Sequence, residues 1–308
     1  MKRIQQKVKD LIEVRKYKSL HDFFAEPEKT LSTYHYTAIT SELIAALVDV
    51  QQGGGAAKAL AGYRGVGKSH FLATFSAIVS NPELRAQVTD SHVGSGTHHL
   101  RRRHYPVALV QRGTEETLTE ELLAAVAGAF QMEVSELPSN LEQLLEFASE
   151  KTGDLPFVIL VDTASERETR VAREDGVLLG ELAEIAKRFN VFIAVALDDD
   201  ITDADGINGS IAQSYTIDYL DQEHLHQIVN AHIYPKHRQT QSLIRDLYQE
   251  FREAIPSFRW SEPRFTALYP LHPSILEVAP FEGESVCCYL NVASNRTKGR
   301  CRLAVRDR

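Results

Sequence analysis

Short runs of apolar residues alternate along this chain with stretches in which apolar positions recur every three or four residues. The segments FVILVD (157–162) and VFIAVAL (191–197) contain no polar alternation. That is expected of strands covered on both faces, as in a parallel sheet. YPVALVQ (105–111) reads as a further buried strand, and SYTIDYL (214–220) supplies a fifth, expected over 214–217. Between them, SHFLATFSAIVS places Phe71, Leu72, Phe75, Ile78 and Val79 at helical spacing. GVLLGELAEIAKRF puts Leu178, Leu179, Leu182, Ile185, Ala186 and Phe189 on one stripe. EETLTEELLAAVAGAF and SNLEQLLEFASE are helices on the same grounds, the second capped by Ser139 or Asn140. Strands that alternate with helices in this way build βαβ units. One segment fits less well: AKALA has helical rather than strand propensity, and its place in the alternation is what predicts a strand at 58–61.

Four regions follow from this pattern. Residues 1–50 form an N-terminal helical extension, in which Ser41 and Glu42 suggest the cap of a short helix. QQGGG at 51–55 is a flexible break that opens a core over 51–220. Residues 221–280 carry helical patterns without a strong strand, as a helical lid subdomain would. In 281–308 the apolar period stops, and the three cysteines Cys287, Cys288 and Cys301 lie here. This tail is expected to be disordered or to mark a truncation.

The chemistry is concentrated at Gly62-Tyr63-Arg64-Gly65-Val66-Gly67-Lys68-Ser69, which fits G-x-x-x-x-G-K-[ST] directly before a helix. Glycines there let backbone N–H groups wrap phosphate oxygens that a Cβ would keep away. The helix that follows adds its positive end, and His70 continues the nucleotide-binding segment. Lys68 supplies a charge to the β- and γ-phosphates, and Ser69 a hydroxyl ligand for Mg²⁺. The expected cofactors are therefore ATP and Mg²⁺. Asp162, at the end of an apolar strand, is the second metal acid, or alternatively a cap for the next helix. Hydrolysis also needs a residue to orient water. Thr163 stands where a glutamate often follows the strand-end aspartate, and Glu166 is the nearby candidate. Asp198, which ends another strand, is a candidate sensor of the γ-phosphate, or equally the start of a plain acidic loop. Arg167, Arg170, Arg173 and Arg264 are candidate arginine fingers. HHLRRRH (98–104) is the one dense basic cluster, either a solvated loop or a phosphate-backbone contact.

Composition narrows the class. The net charge of −8 argues against a protein that coats nucleic acid as a whole, while leaving a local basic face open. The charged N-terminus has no apolar leader segment, and the cysteine-free body fits a reducing compartment, so a cytoplasmic location with no membrane partner is expected.

GYRGVGKSHFL, VILVDTASERETRVAREDG, VALDDDI, YTIDYLDQEHL and YPLHPSILEVAP together resemble the N-terminal part of large bacterial anti-phage defence ATPases. These are the BREX-associated PglY-like and BrxC-like proteins, which are similar to AAA+/ASCE ATPases. The resemblance implies an α/β P-loop NTPase with a five-stranded parallel sheet between helices, followed by a helical lid. It implies ATP binding and hydrolysis at Lys68, Ser69 and Asp162, and defence-system partners that modify or survey DNA; a homo-oligomer, and DNA contact through the complex, are left open. Three alternatives stay open: a nucleotide-dependent switch with little hydrolysis, a small-molecule kinase, and an inactive fragment.

Overall fold

Five parallel strands form one sheet in the spatial order β2-β3-β4-β1-β5. They are β1 (Ala56–Gly62), β2 (Val107–Gln111), β3 (Phe157–Asp162), β4 (Val191–Asp198) and β5 (Thr216–Leu220). The structure is a computed structural model. It describes residues 23–50, 55–62, 66–100, 102–163, 173–198, 207–220, 222–236 and 238–274. The chain divides into two units, His21–Leu220 and Met1–Leu20 with Asp221–Arg308.

In the first unit the helices are α1 (Pro27–Thr33), α2 (Ala38–Val50), α3 (Lys68–Ser80), α4 (Ser91–Thr97), α5 (Leu118–Phe130), α6 (Leu141–Thr152), α7 (Arg173–Ala186) and α8 (Ile207–Ser214). Every residue of β3 is buried. The period of two in a strand splits its side chains between two layers. Ala57, Ala59, Ile159, Val161, Ile193 and Val195 pack with Leu122, Leu144, Leu179 and Leu182 of α5–α7. On the opposite face Phe192 meets Phe75 of α3, with ring centroids 5.5 Å apart. The parallel sheet in this strand order, its two helical layers and the glycine-framed connection after β1 make this an α/β P-loop NTPase fold.

Several boundaries differ from the expectation. β1 runs over 56–62 despite its alanines, because it is hydrogen-bonded to β4 on one side and β5 on the other. Two flanking ladders outweigh a propensity difference of roughly a few tenths of a kcal/mol per residue. β2 starts at Val107, not 105: the Tyr105 N–H donates to the Val79 carbonyl, away from the ladder, and Pro106 has no N–H to give. β5 begins at Thr216 instead of 214. Ser214 belongs to α8, and the Tyr215 hydroxyl donates to the Leu179 carbonyl at 2.8 Å, which draws that ring into the helical layer. Ser41 is not a cap. α2 starts at Ala38, the Thr37 hydroxyl accepts the Thr40 N–H, and Ser41 donates to Asp90 from within the helix. Asn140 is the cap of α6, its Oδ1 accepting the N–H groups of Glu142 and Gln143 at 3.0 and 3.2 Å.

The second unit holds α9 (Gln222–Ile228), a π-helical turn (Val229–Ile233), α10 (Arg238–Ala254) and α11 (Glu262–Leu268). Its core is Ile244, Tyr248 and Phe265, with Leu247, Phe258 and Tyr269 packed around them. The tail over 281–308 lies outside the described residues.

Candidate phosphate-binding site

β1 ends at Gly62 in the centre of the sheet, and the chain re-emerges as α3 at Lys68. The two glycines that frame this turn are required by geometry. Gly67 takes φ 104°, a left-handed conformation, as the residue before the helix. Gly62 has φ 154°, and a Cβ there would lie 2.6 Å from the Leu220 carbonyl oxygen. The first helical bond runs from the Phe71 N–H to the Gly67 carbonyl. The first turn of the helix carries the N–H groups that a helix cannot satisfy internally.

Lys68 is 3% exposed and Asp162 is 4% exposed, so both charges sit where water screens them weakly. The Lys68 ammonium donates to the Gly62 carbonyl at 2.6 Å, which folds the side chain back over the loop. The Ser69 hydroxyl donates to Asp162 Oδ1 at 3.1 Å, joining the start of α3 to the end of β3. These two oxygens suit a hard divalent cation. Adjacent ligands of an octahedral Mg²⁺, bound at ~2.1 Å, stand about 3.0 Å apart. Mg²⁺ would thus be held by Ser69 and Asp162 with a bound phosphate.

β4 lies between β1 and β3, and Gly62 pairs in register with Asp198. The end of β4 therefore stands beside the phosphate loop. Thr163 does not point a polar group at the loop. It is 7% exposed, and its hydroxyl donates to the Ala196 carbonyl at 2.6 Å, tying β3 to β4. The His70 ring stacks on Phe23 at 4.3 Å and meets the edge of Tyr34 at 4.9 Å. Its side chain belongs to an aromatic cluster, while its backbone stays in the first turn of α3. Val66 is 1% exposed, and its Cγ1 would lie 3.2 Å from a Cβ at Gly62. Tyr63, Arg64, Gly65, Glu166, Arg167 and Arg170 lie outside the described residues, as do the side chains of Asp198 and Arg173.

Two features of this region were not legible beforehand. One is the aromatic cluster that residues 23–36 lay over α3, which includes a Tyr34–Tyr36 edge contact at 4.9 Å. The other is a buried charge cluster. The Arg112 N–H donates to the Asp162 carbonyl at 3.0 Å, continuing β2 past its last residue. The Arg112 side chain then bridges Asp175 of α7 (2.9 Å) and Glu121 of α5 (3.1 Å). Glu121 Oε1 also accepts the N–H groups of Gly113, Thr114 and Glu115 at 2.6, 2.9 and 3.2 Å. Burial works against the Arg112 charge. The hydrogen bond and charge of Asp175, followed by those of Glu121, outweigh it and raise the guanidinium pKa. An arginine directly after a parallel strand was the one available signal. Its partners, nine and sixty-three residues away, follow no period.

No protein-family model matches the chain, and no curated protein matches it. Solved structures that align with it include Cdc6p from Pyrobaculum aerophilum, at 14% identity and a TM-score of 0.37, over 83% of this chain and 65% of that one. The Aeropyrum pernix ORC1 protein in complex with DNA aligns at 12% identity and a TM-score of 0.41, over 88% of this chain and 67% of that one. A structure of Drosophila ORC bound to GC-rich DNA and Cdc6 aligns at 11% and 0.31, over 82% and 98%. The chain thus spans about two thirds of the first two. The strand order and the loop after β1, rather than these likenesses, carry the fold assignment. Among the described residues no helix is long and apolar enough to cross a membrane.

Proposed function

We propose that this chain binds ATP with Mg²⁺ at the loop 62–69 and hydrolyses it as the motor or clamp module of a larger assembly. The observation that carries the reading is the contact between Ser69 and Asp162, across 93 residues of sequence, beside a buried lysine. Lys68 neutralises charge on the β- and γ-phosphates. The backbone of the loop orients the triphosphate. Mg²⁺, when bound, withdraws charge from the phosphate oxygens. Glu166 is the residue proposed to orient the attacking water, and Asp198 the one proposed to sense the γ-phosphate. Residues 221–280 would act as the lid. The resemblance of the quoted segments to phage-defence ATPases is the ground for proposing a cytoplasmic anti-phage role with protein partners, and DNA reached through them.

Steady-state phosphate release tests this. Wild type should turn over ATP only with Mg²⁺, and Asp162→Ala should lower the rate at least ~100-fold, the typical effect of losing a group that stabilises transferring charge. Equal rates in the two proteins would remove the reading. A second reading, a switch that binds ATP tightly and hydrolyses it slowly, is favoured by one observation: Thr163 spends its hydroxyl on Ala196. Metal-dependent ATP binding with turnover near zero in all conditions would select it.

A further inference from the structure

The segment between Ser91 and Thr114 contains no Asp or Glu, in a chain that has 42 of them and a net charge of −8. It holds His92, His98, His99, Arg101, Arg102, Arg103, His104 and Arg112. Arg112 is used in the buried cluster, and Arg101 lies outside the described residues. His92, His98, His99, Arg102, Arg103 and His104 are all exposed. No described carboxylate forms an ion pair with any of these six. The nearest acid in sequence, Asp90, is already committed. Its Oδ1 accepts the N–H groups of His92 and Val93, and its Oδ2 accepts the Ser41 hydroxyl.

The backbone that carries these side chains is held firmly. Arg85, 8% exposed, donates through Nε to the Ile78 carbonyl at 2.7 Å. Its Nη2 donates to the carbonyls of Val79 and Arg103 at 2.9 and 2.7 Å. The Tyr105 N–H also reaches Val79. One buried guanidinium thus closes the C-terminal end of α3 and fixes the basic loop to it. Because this loop precedes β2, it sits at the N-terminal end of the sheet. The 13 residues of α3 separate it from the phosphate loop by about 20 Å. The apolar residues of the part that carries the exposed charges, 91–105, are Val93, Leu100 and Tyr105, and all three are buried, so the face has charge but no apolar anchor.

We propose that this face binds the sugar-phosphate backbone of a nucleic-acid duplex without reading its sequence. An unneutralised, pre-ordered group of guanidinium and imidazole donors suits phosphodiester oxygens. Among the described residues of this face no Phe, Tyr or Trp is exposed, since Tyr105 is buried, so the strong stacking platforms of single-strand binders are missing. The lack of an apolar anchor disfavours a membrane surface or an acidic peptide. This site is separate from the ATP site, so either can fail without the other.

Fluorescence anisotropy on the full chain without ATP tests it, using two unrelated 24-base-pair DNA duplexes and one of their single strands. Both duplexes should bind with similar affinity, on the order of micromolar at low salt. Arg102→Ala with Arg103→Ala should weaken binding at least ~10-fold and reduce the slope of log affinity against log salt by about two. His98→Glu with His99→Glu, at exposed positions, should weaken it as well. ATP-Mg²⁺ stabilisation should be unchanged in both variants, which also shows that they fold. No duplex binding at low salt, or unchanged binding in the variants, would overturn the proposal. So would preference for the single strand, or equal capture by polyglutamate or phosphatidylserine vesicles.

Discussion

Lys68→Ala should abolish ATP-dependent stabilisation and lower turnover about 100- to 1000-fold, the range expected when a buried donor to transferring phosphoryl charge is lost. At ATP one hundred times above its dissociation constant, the wild type gains about 2.7 kcal/mol. For a chain of this size that corresponds to a rise of roughly 4 °C in melting temperature. The variant should show almost none of it. Its melting temperature without nucleotide should be equal or slightly higher, because the substitution removes a charge only 3% exposed. Differential scanning fluorimetry with and without ATP-Mg²⁺ reads both effects. A variant that keeps the full nucleotide shift would place the phosphates elsewhere.

Arg112→Ala carries the largest expected cost to stability. Its guanidinium links α5 to α7 through Glu121 and Asp175, whose side chains are 1% and 10% exposed. Removing one member of a buried ion pair leaves the other uncompensated and costs about 3–5 kcal/mol. Here two carboxylates lose the same cation. Glu121 keeps its three backbone donors and retains part of its support. Urea unfolding should therefore show a loss of about 3–5 kcal/mol. A loss under about 1 kcal/mol would mean that the cluster behaves as a surface pair.

The chemistry of this fold was legible where residue type alone dictates geometry. Three glycines, a lysine and a serine ahead of an apolar helix form the sequence pattern of a backbone turn that a phosphate group can approach. The unbroken apolar run of β3 announced a strand buried on both faces. β1 was legible only by its place in the alternation, since five of its seven residues are alanines or leucine with helical propensity. Pairing with β4 and β5, a long-range effect, makes it a strand. The Arg112–Glu121–Asp175 cluster and the Phe23–Tyr34–His70 contacts could not be read at all. They join residues whose separations reflect topology and not periodicity, so only the folded chain brings them together.

The most direct measurement is calorimetric titration of wild type with the slowly hydrolysed analogue ATPγS, in Mg²⁺ and in EDTA. A triphosphate held by the loop amides and Lys68, with its metal between Ser69 and Asp162, predicts micromolar binding in Mg²⁺ that weakens at least ~10-fold without metal. Absence of binding heat across a range of temperatures, or an affinity indifferent to the metal, would contradict it.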